Sequence, residues 1–197
     1  MALAKEASNY DQKYSSKDGK SYIHPYGDVY KPLKPYPIFD LNPLFSPGTL
    51  KDSKGHTVNW EDLLGKSVAL YFADYALCRC KSVLPILCNV YKTFNESGDY
   101  QKVEIVFVSL DKSEKEYAEH RAVQPWLSLP YESDIIDRFK DHYRVMHANE
   151  LCKYGYGPRM TPPSLIIINR YGRLLQFLEI NEQVKLWKKW DVISELF

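Results

Sequence analysis

Three near-continuous apolar runs punctuate the chain: Val68 to Phe72, Val103 to Leu110, and Ser164 to Ile168. Each is too short for a helix and rich in β-branched or aromatic side chains, which predicts strands buried on both faces. After the first run the period changes. From Cys80 to Phe94, Leu84, Leu87, Cys88 and Tyr91 fall on one helical face, and Pro85 within it predicts a kink. Asp111 to His120, charged and free of glycine, predicts a second helix. Ser133 to Tyr143, opened by a capping serine and carrying Ile135, Ile136 and Phe139, predicts a third. Leu50 to Val58 reads as two short strands around a Ser-Lys-Gly turn in which Gly55 supplies a positive φ. Trp60 to Leu64 reads as a short helical turn stopped by Gly65, and Trp126 to Pro130 as an extended apolar segment. Asn169 to Gly172 turns the third buried strand into a returning strand, Arg173 to Ile180. Val184 to Phe197, with Leu186, Trp187, Trp190, Ile193, Leu196 and Phe197 as apolar members, predicts a last helix. The order describes an α/β layered domain over residues 38–183, followed by a helix over 184–197.

Residues 1–37 break this pattern. Six of the 12 prolines and six of the 16 tyrosines lie in residues 1–47, in steps such as His24-Pro25-Tyr26 and Lys34-Pro35-Tyr36-Pro37. Proline at this density blocks helix and central-strand pairing, leaving an extended, partly polyproline-like segment with no core of its own. It reads either as a solvated tail or as an arm laid along a partner, with Tyr22, Tyr26, Tyr30 and Tyr36 as amphipathic anchors. A solvated tail is more usually rich in Ser, Glu and Gln, which tips the reading toward the arm.

Composition narrows the function classes. A chain of 197 residues can bury a core without staples, and a net charge of +1 gives no global field toward nucleic acid or lipid. No apolar run approaches the roughly 20 residues of a membrane span. Met1 is followed by a polar, charged segment rather than a signal peptide, and four cysteines make no disulfide framework, so a reducing cytoplasm is the expected setting. The histidines His24, His56, His120, His142 and His147 are scattered and read as exposed. No phosphate loop, Ser-His-Asp set or basic aromatic platform is present. Cys78 and Cys80 with Cys88 or Cys152 lack the second paired motif that a metal site requires, so neither metal nor cofactor is expected. Cys88, Trp187 and Trp190 read as core, and Asp111 as a turn cap.

Candidate chemistry gathers where the first apolar run ends, in the stretch Leu70 to Pro85. A strand that delivers cysteines to a helix N-terminus is the geometry of thiol–disulfide exchange, because free N–H groups and the helix dipole stabilise a thiolate. The usual motif has two residues between its cysteines, whereas Cys78 and Cys80 are separated by one.

From about Leu41 to Ile180 the chain resembles the tryparedoxin and nucleoredoxin branch of the thioredoxin fold. The resemblance rests on Leu63-Leu64-Gly65-Lys66-Ser67-Val68-Ala69-Leu70-Tyr71-Phe72, the helix pattern ending at Pro85, and Val108-Ser109-Leu110-Asp111. It also rests on Pro125-Trp126-Leu127-Ser128-Leu129-Pro130-Tyr131 and Pro163-Ser164-Leu165-Ile166-Ile167-Ile168-Asn169. It implies a central mixed sheet flanked by helices, with the N-terminal arm outside it. It also implies a Trp-Cys-x-x-Cys site. Anchored on Tyr71-Phe72 and Pro85, that motif puts Ala76 at the tryptophan, Leu77 at the attacking cysteine and Cys80 at the resolving one. Cys78 falls between, at a variable position. As i and i+2 on a helix, Cys78 and Cys80 would not face each other, and a disulfide between them would leave relaxed geometry. Arg79 and Lys81 beside it keep Cys78 a candidate reactive thiol. Pro163 takes the family's cis-proline position. The residue before it, which by the resemblance offers N–H and C=O to an extended substrate, is Pro162 and has no N–H. Val145 and Pro163, a few residues apart in the family, are here 18 apart. The insertion, over residues 146–160, includes Cys152 and carries Tyr154 and Tyr156 as further candidate contacts. It would cover the site, bind a partner, or form a plain surface loop.

These departures lead us to expect a non-catalytic thioredoxin-fold scaffold with vestigial Cys78 and Cys80, binding a protein partner through the arm and the insertion. A degenerate site flanked by new segments is similar to apicomplexan thioredoxin-like proteins of cortical microtubules. That resemblance implies tubulin as partner and a cytoskeletal location. The alternative is a tryparedoxin-like oxidoreductase that uses Cys78 or Cys80 as a single thiol.

Overall fold

The computed structural model describes residues 44–96, 103–147, 150, 160–178, 180, 190 and 197. Along the chain the strands are β1 (Leu50–Lys51), β2 (Thr57–Val58), β3 (Ser67–Ala73), β4 (Val103–Ser109), β5 (Leu127–Ser128), β6 (Ser164–Ile168) and β7 (Leu174–Leu178). The helices are α1 (Cys78–Glu96), α2 (Glu114–Arg121) and α3 (Asp134–Tyr143), with a 3-10 turn at Trp60–Leu63. The strands form one sheet in the order β2-β1-β5-β4-β3-β6-β7. β3 runs parallel to β4 and antiparallel to β6, so the sheet is mixed, as expected.

The three apolar runs occupy its centre. Every residue of β3, β4 and β6 is buried. Strand alternation divides them between two cores. Val68, Leu70, Phe72, Val106, Val108, Ile166 and Ile168 face one layer with Phe139 and Tyr143 of α3. Ala69, Tyr71, Ala73, Val103, Ile105, Phe107, Leu165 and Ile167 face the other, against Cys80, Val83, Leu84, Leu87 and Val90 of α1. The extended segment after α2 is held by Arg121, which donates to the carbonyls of Gln124 (2.7 Å) and Trp126 (2.6 Å) and to Ser128 Oγ (2.9 Å). Those bonds seat the Trp126 ring against Tyr71 and Tyr91.

Local chemistry explains the element ends. Gly55 and Gly172 take positive φ at the two hairpin turns. Ser113 caps α2 through the Glu116 N–H, so this helix starts later than its charge pattern predicts. Ser133 stands at the N-cap of α3 without a side-chain capping bond. Three other expectations are corrected. α1 begins at Cys78, two residues before its apolar period, and runs through exposed Pro85, where the ring removes one ladder bond without ending the helix. Cys88 is only half-buried, because the apolar stripe turns toward Val83, Leu87 and Val90. His120 and His142 are buried, not exposed.

The arm residues Tyr22, Tyr26, Tyr30 and Tyr36 lie outside the described residues, as do Cys152, Tyr154, Tyr156 and most of 184–197. Two described residues of that last stretch belong to the core. Trp190 donates Nε1–H to Ser67 Oγ at 2.8 Å. Phe197 pairs by its backbone with Gly65 and Lys66 and stacks on Phe45.

Leu70 is fully buried at the middle of β3. Leu70→Ala is expected to lower stability by about 2–5 kcal/mol, read as a shifted urea midpoint at unchanged slope.

Candidate thiol site at the strand–helix elbow

β3 leaves the sheet after Ala73, whose carbonyl accepts from Leu110 N at 2.9 Å. Four residues then turn the chain into α1, and the N–H groups of the last three have defined acceptors. Tyr75 N donates to Asp111 Oδ1 (2.6 Å), Ala76 N to Asp74 Oδ1 (2.7 Å) and Leu77 N to the Asp74 carbonyl (3.1 Å). The Leu77 carbonyl takes the first helical bonds, from Cys80 N (3.0 Å) and Lys81 N (3.3 Å). The cap position is thus filled by leucine, and no acidic residue stands in the first turn.

The two sequence-identified cysteines have opposite environments. Cys78 is exposed at the first residue of α1 and Cys80 is buried. Burial pushes the Cys80 thiol up to about 11, with the Asp74 and Asp111 carboxylates adding to the rise, so it stays protonated near neutral pH. Cys78, Cys80 and Cys88 are all free thiols. Among the described residues no group of His, Cys, Asp and Glu could hold a metal ion.

Asp111 is not a simple turn cap. It is buried, accepts from Ser109 Oγ at 2.7 Å, and lies 3.3 and 3.4 Å from His120 Nδ1. Burial alone would raise its carboxyl. The hydrogen bonds from His120, Ser109 and Tyr75 N outweigh that and hold it below the usual carboxylate range. The His120 ring sits between Phe107 (4.7 Å) and Tyr75 (5.4 Å), and Lys81 Nζ lies 4.1 Å from the Tyr75 ring centroid.

The Phe72–Ser164 register brings Pro163 beside the β3 exit. The Pro162–Pro163 bond is cis, and both residues are buried. The ends of the insertion meet nearby: Met160 N donates to the Arg144 carbonyl (2.9 Å) and Met146 N to the Met160 carbonyl (3.0 Å). Just beyond Met146, His147 Nε2 lies 3.4 Å from Asp74 Oδ2, within ion-pair range but without hydrogen-bond alignment. Sequence reasoning missed Asp74, His120 and His147 as parts of the site. Asp74, a carboxylate directly after a fully apolar run, was the one legible signal.

Two outcomes test this geometry. Iodoacetamide should label Cys78 in the folded protein and Cys80 only on unfolding, read by mass spectrometry of the digest. Because the Asp111 carboxyl is held low, its contribution to stability is present above the unfolded carboxylate range and is lost as pH falls through the folded value. Asp111→Ala, which strands the donors from Tyr75, Ser109 and His120, should cost about 1–3 kcal/mol at neutral pH. Its stability should also decline less steeply than the wild type's on acidification, as followed by thermal melts.

Residues 65–174 match the family model described as thioredoxin-like. Nucleoredoxin of Bos taurus is 31% identical over 65% of this chain and 26% of its own length. Nucleoredoxin of Xenopus laevis is 34% identical over 67% of this chain and 30% of its own. The chain thus spans less than a third of either relative. Among solved structures, thioredoxin from Wuchereria bancrofti aligns with a TM-score of 0.55 and 26% identity, over 74% of this chain and 94% of that one. Tryparedoxin I from Crithidia fasciculata aligns at 0.53 and 25%, over 69% and 83%. With its mixed sheet, flanking helices and cysteine-bearing elbow, the chain has the thioredoxin fold and belongs to the thioredoxin-like family.

Proposed function

We propose that the protein carries out thiol–disulfide exchange with Cys78 as its single attacking thiol. The observation that carries this reading is the exposure of Cys78 at the first residue of α1, about half a turn from a buried Cys80. Its kinship with nucleoredoxins and tryparedoxins supports the same chemistry. The Cys78 thiolate attacks one sulfur of a substrate disulfide. A Cys78–substrate disulfide forms, the original S–S bond breaks, and the second sulfur leaves as a thiolate that takes up a proton. Cys80 is badly placed to resolve this adduct, being buried, protonated and two residues along the same helix. An external low-molecular-weight thiol therefore attacks Cys78, releasing the substrate as a thiol and leaving Cys78 in a mixed disulfide. A second such thiol frees Cys78 and departs as its own disulfide, so two external thiols are oxidised for each disulfide reduced. Pro162, lacking an N–H, weakens strand-like gripping of extended peptides and favours small disulfides.

A second reading is a non-catalytic scaffold that binds a protein partner, with the microtubule lattice as its specific form. Leucine at the helix cap and proline at Pro162 favour it, since both remove parts that the resemblance assigns to catalysis. Its binding segments would be residues 1–37 and the insertion.

A coupled assay with glutathione and a glutathione mixed disulfide separates the readings. Turnover should be lost in Cys78→Ser and largely kept in Cys80→Ser. A wild-type protein whose Cys78 alkylates readily yet turns nothing over overturns the exchange reading. Co-sedimentation with polymerised tubulin, abolished by changing Tyr22, Tyr26, Tyr30 and Tyr36 to alanine, would then establish the scaffold.

A further inference from the structure

The elbow that carries Cys78 is held by two carboxylates, and each is backed by a histidine from a different part of the fold. Asp111 takes the Tyr75 N–H and has His120 of α2 behind it at 3.3 Å. Asp74 takes the next N–H, that of Ala76, and has His147, from the segment after α3, at 3.4 Å. We propose that His120 and His147 are positioning residues for Cys78, acting through Asp111 and Asp74, so that protonation of the two imidazoles sets how firmly the elbow presents the thiol. Naming Cys78 as the reacting group rests on the exchange reading above; the grip on the elbow does not.

The physical basis is charge compensation in a dry setting. Both carboxylates are buried, and a buried carboxylate without a counter-charge is costly. A histidine gains its charge between about pH 5 and 8, and the charged form would neutralise the carboxylate it faces. Each carboxylate could then keep its N–H bond at full strength. When the imidazole loses its proton, that compensation goes.

His147 is the more sensitive of the two. Its Nε2 has no hydrogen-bond partner among the described residues, so its attraction to Asp74 is purely ionic. Its backbone N–H is fixed by Glu150 Oε2 (2.9 Å), whose other oxygen takes Lys140 Nζ (2.6 Å). The imidazole is therefore carried on an anchored segment. His120 faces Asp111, the Phe107 ring and the Tyr75 ring, with Lys81 on Tyr75. Cys80 lies in the field of both carboxylates and of Arg79. Among the described residues, Glu150 and Lys140 stand beside His147, and Lys81 and Arg79 stand near Tyr75 and Cys80.

The test follows the Tyr75 and Ala76 amide resonances of the full chain through a pH series. Both should titrate in the imidazole range. His147→Gln should abolish the Ala76 response and spare that of Tyr75; His120→Gln should do the reverse. His147→Arg, with a permanent charge, should hold Ala76 in its low-pH position throughout. The Cys78 alkylation rate, normalised to the unfolded chain, should show a matching inflection in the wild type that is lost in His147→Gln. PH-invariant Tyr75 and Ala76 amides, or an Ala76 titration that survives His147→Gln, would overturn the proposal. If buried His120→Gln does not fold, the wild-type and His147 series decide alone. Titrating amides in a protein without disulfide turnover would uphold the elbow grip and discard the exchange reading; turnover with invariant amides would do the opposite.

Discussion

Strand β3 is bonded on both edges and buried on both faces, and the site depends on that confinement. Its parallel register with β4 sets Ala73 beside Ser109, and its antiparallel register with β6 sets Phe72 beside Ser164. A slip of one residue would exchange the contents of the two cores, sending Tyr71 where Phe72 belongs. The strand end is therefore a fixed point. Asp111 follows β4 and Pro163 precedes β6, so both arrive at the elbow because of register.

What the fold builds at that point is a division of labour between thiols. The same half-turn of helix exposes one sulfur and buries another. Burial and two nearby carboxylates keep Cys80 protonated near neutral pH, so Cys78 is the accessible one of the two elbow thiols. The elbow's cap residue is leucine, yet the N–H groups of Tyr75, Ala76 and Leu77 all have acceptors.

Much of the fold was legible because β3, β4 and β6 are written as unbroken apolar runs, a pattern that parallel and central strands require. The glycine turns at Gly55 and Gly172 were legible for similarly local reasons. The start of α1 was less so, since Cys78, Arg79 and Lys81 of its first turn are exposed and carry no periodicity. The two histidines escaped for another reason. Nothing in the residues flanking His120 (Glu119, Arg121) or His147 (Met146, Ala148) marks them out, and their partners, Asp111 and Asp74, are brought close only by packing. Pairing of that kind leaves no spacing to read.

The pairing of Phe197 with Gly65 and Lys66 also fixes a direction. Those residues lie just before β3 begins, whereas Cys78 lies just beyond its other end. At roughly 3.3 Å per residue, seven strand residues separate the two by about 20 Å. A dye or fusion attached at residue 197 would therefore sit at the pole opposite the thiol. It would be too remote to obstruct a docking molecule and close enough to report its arrival by energy transfer.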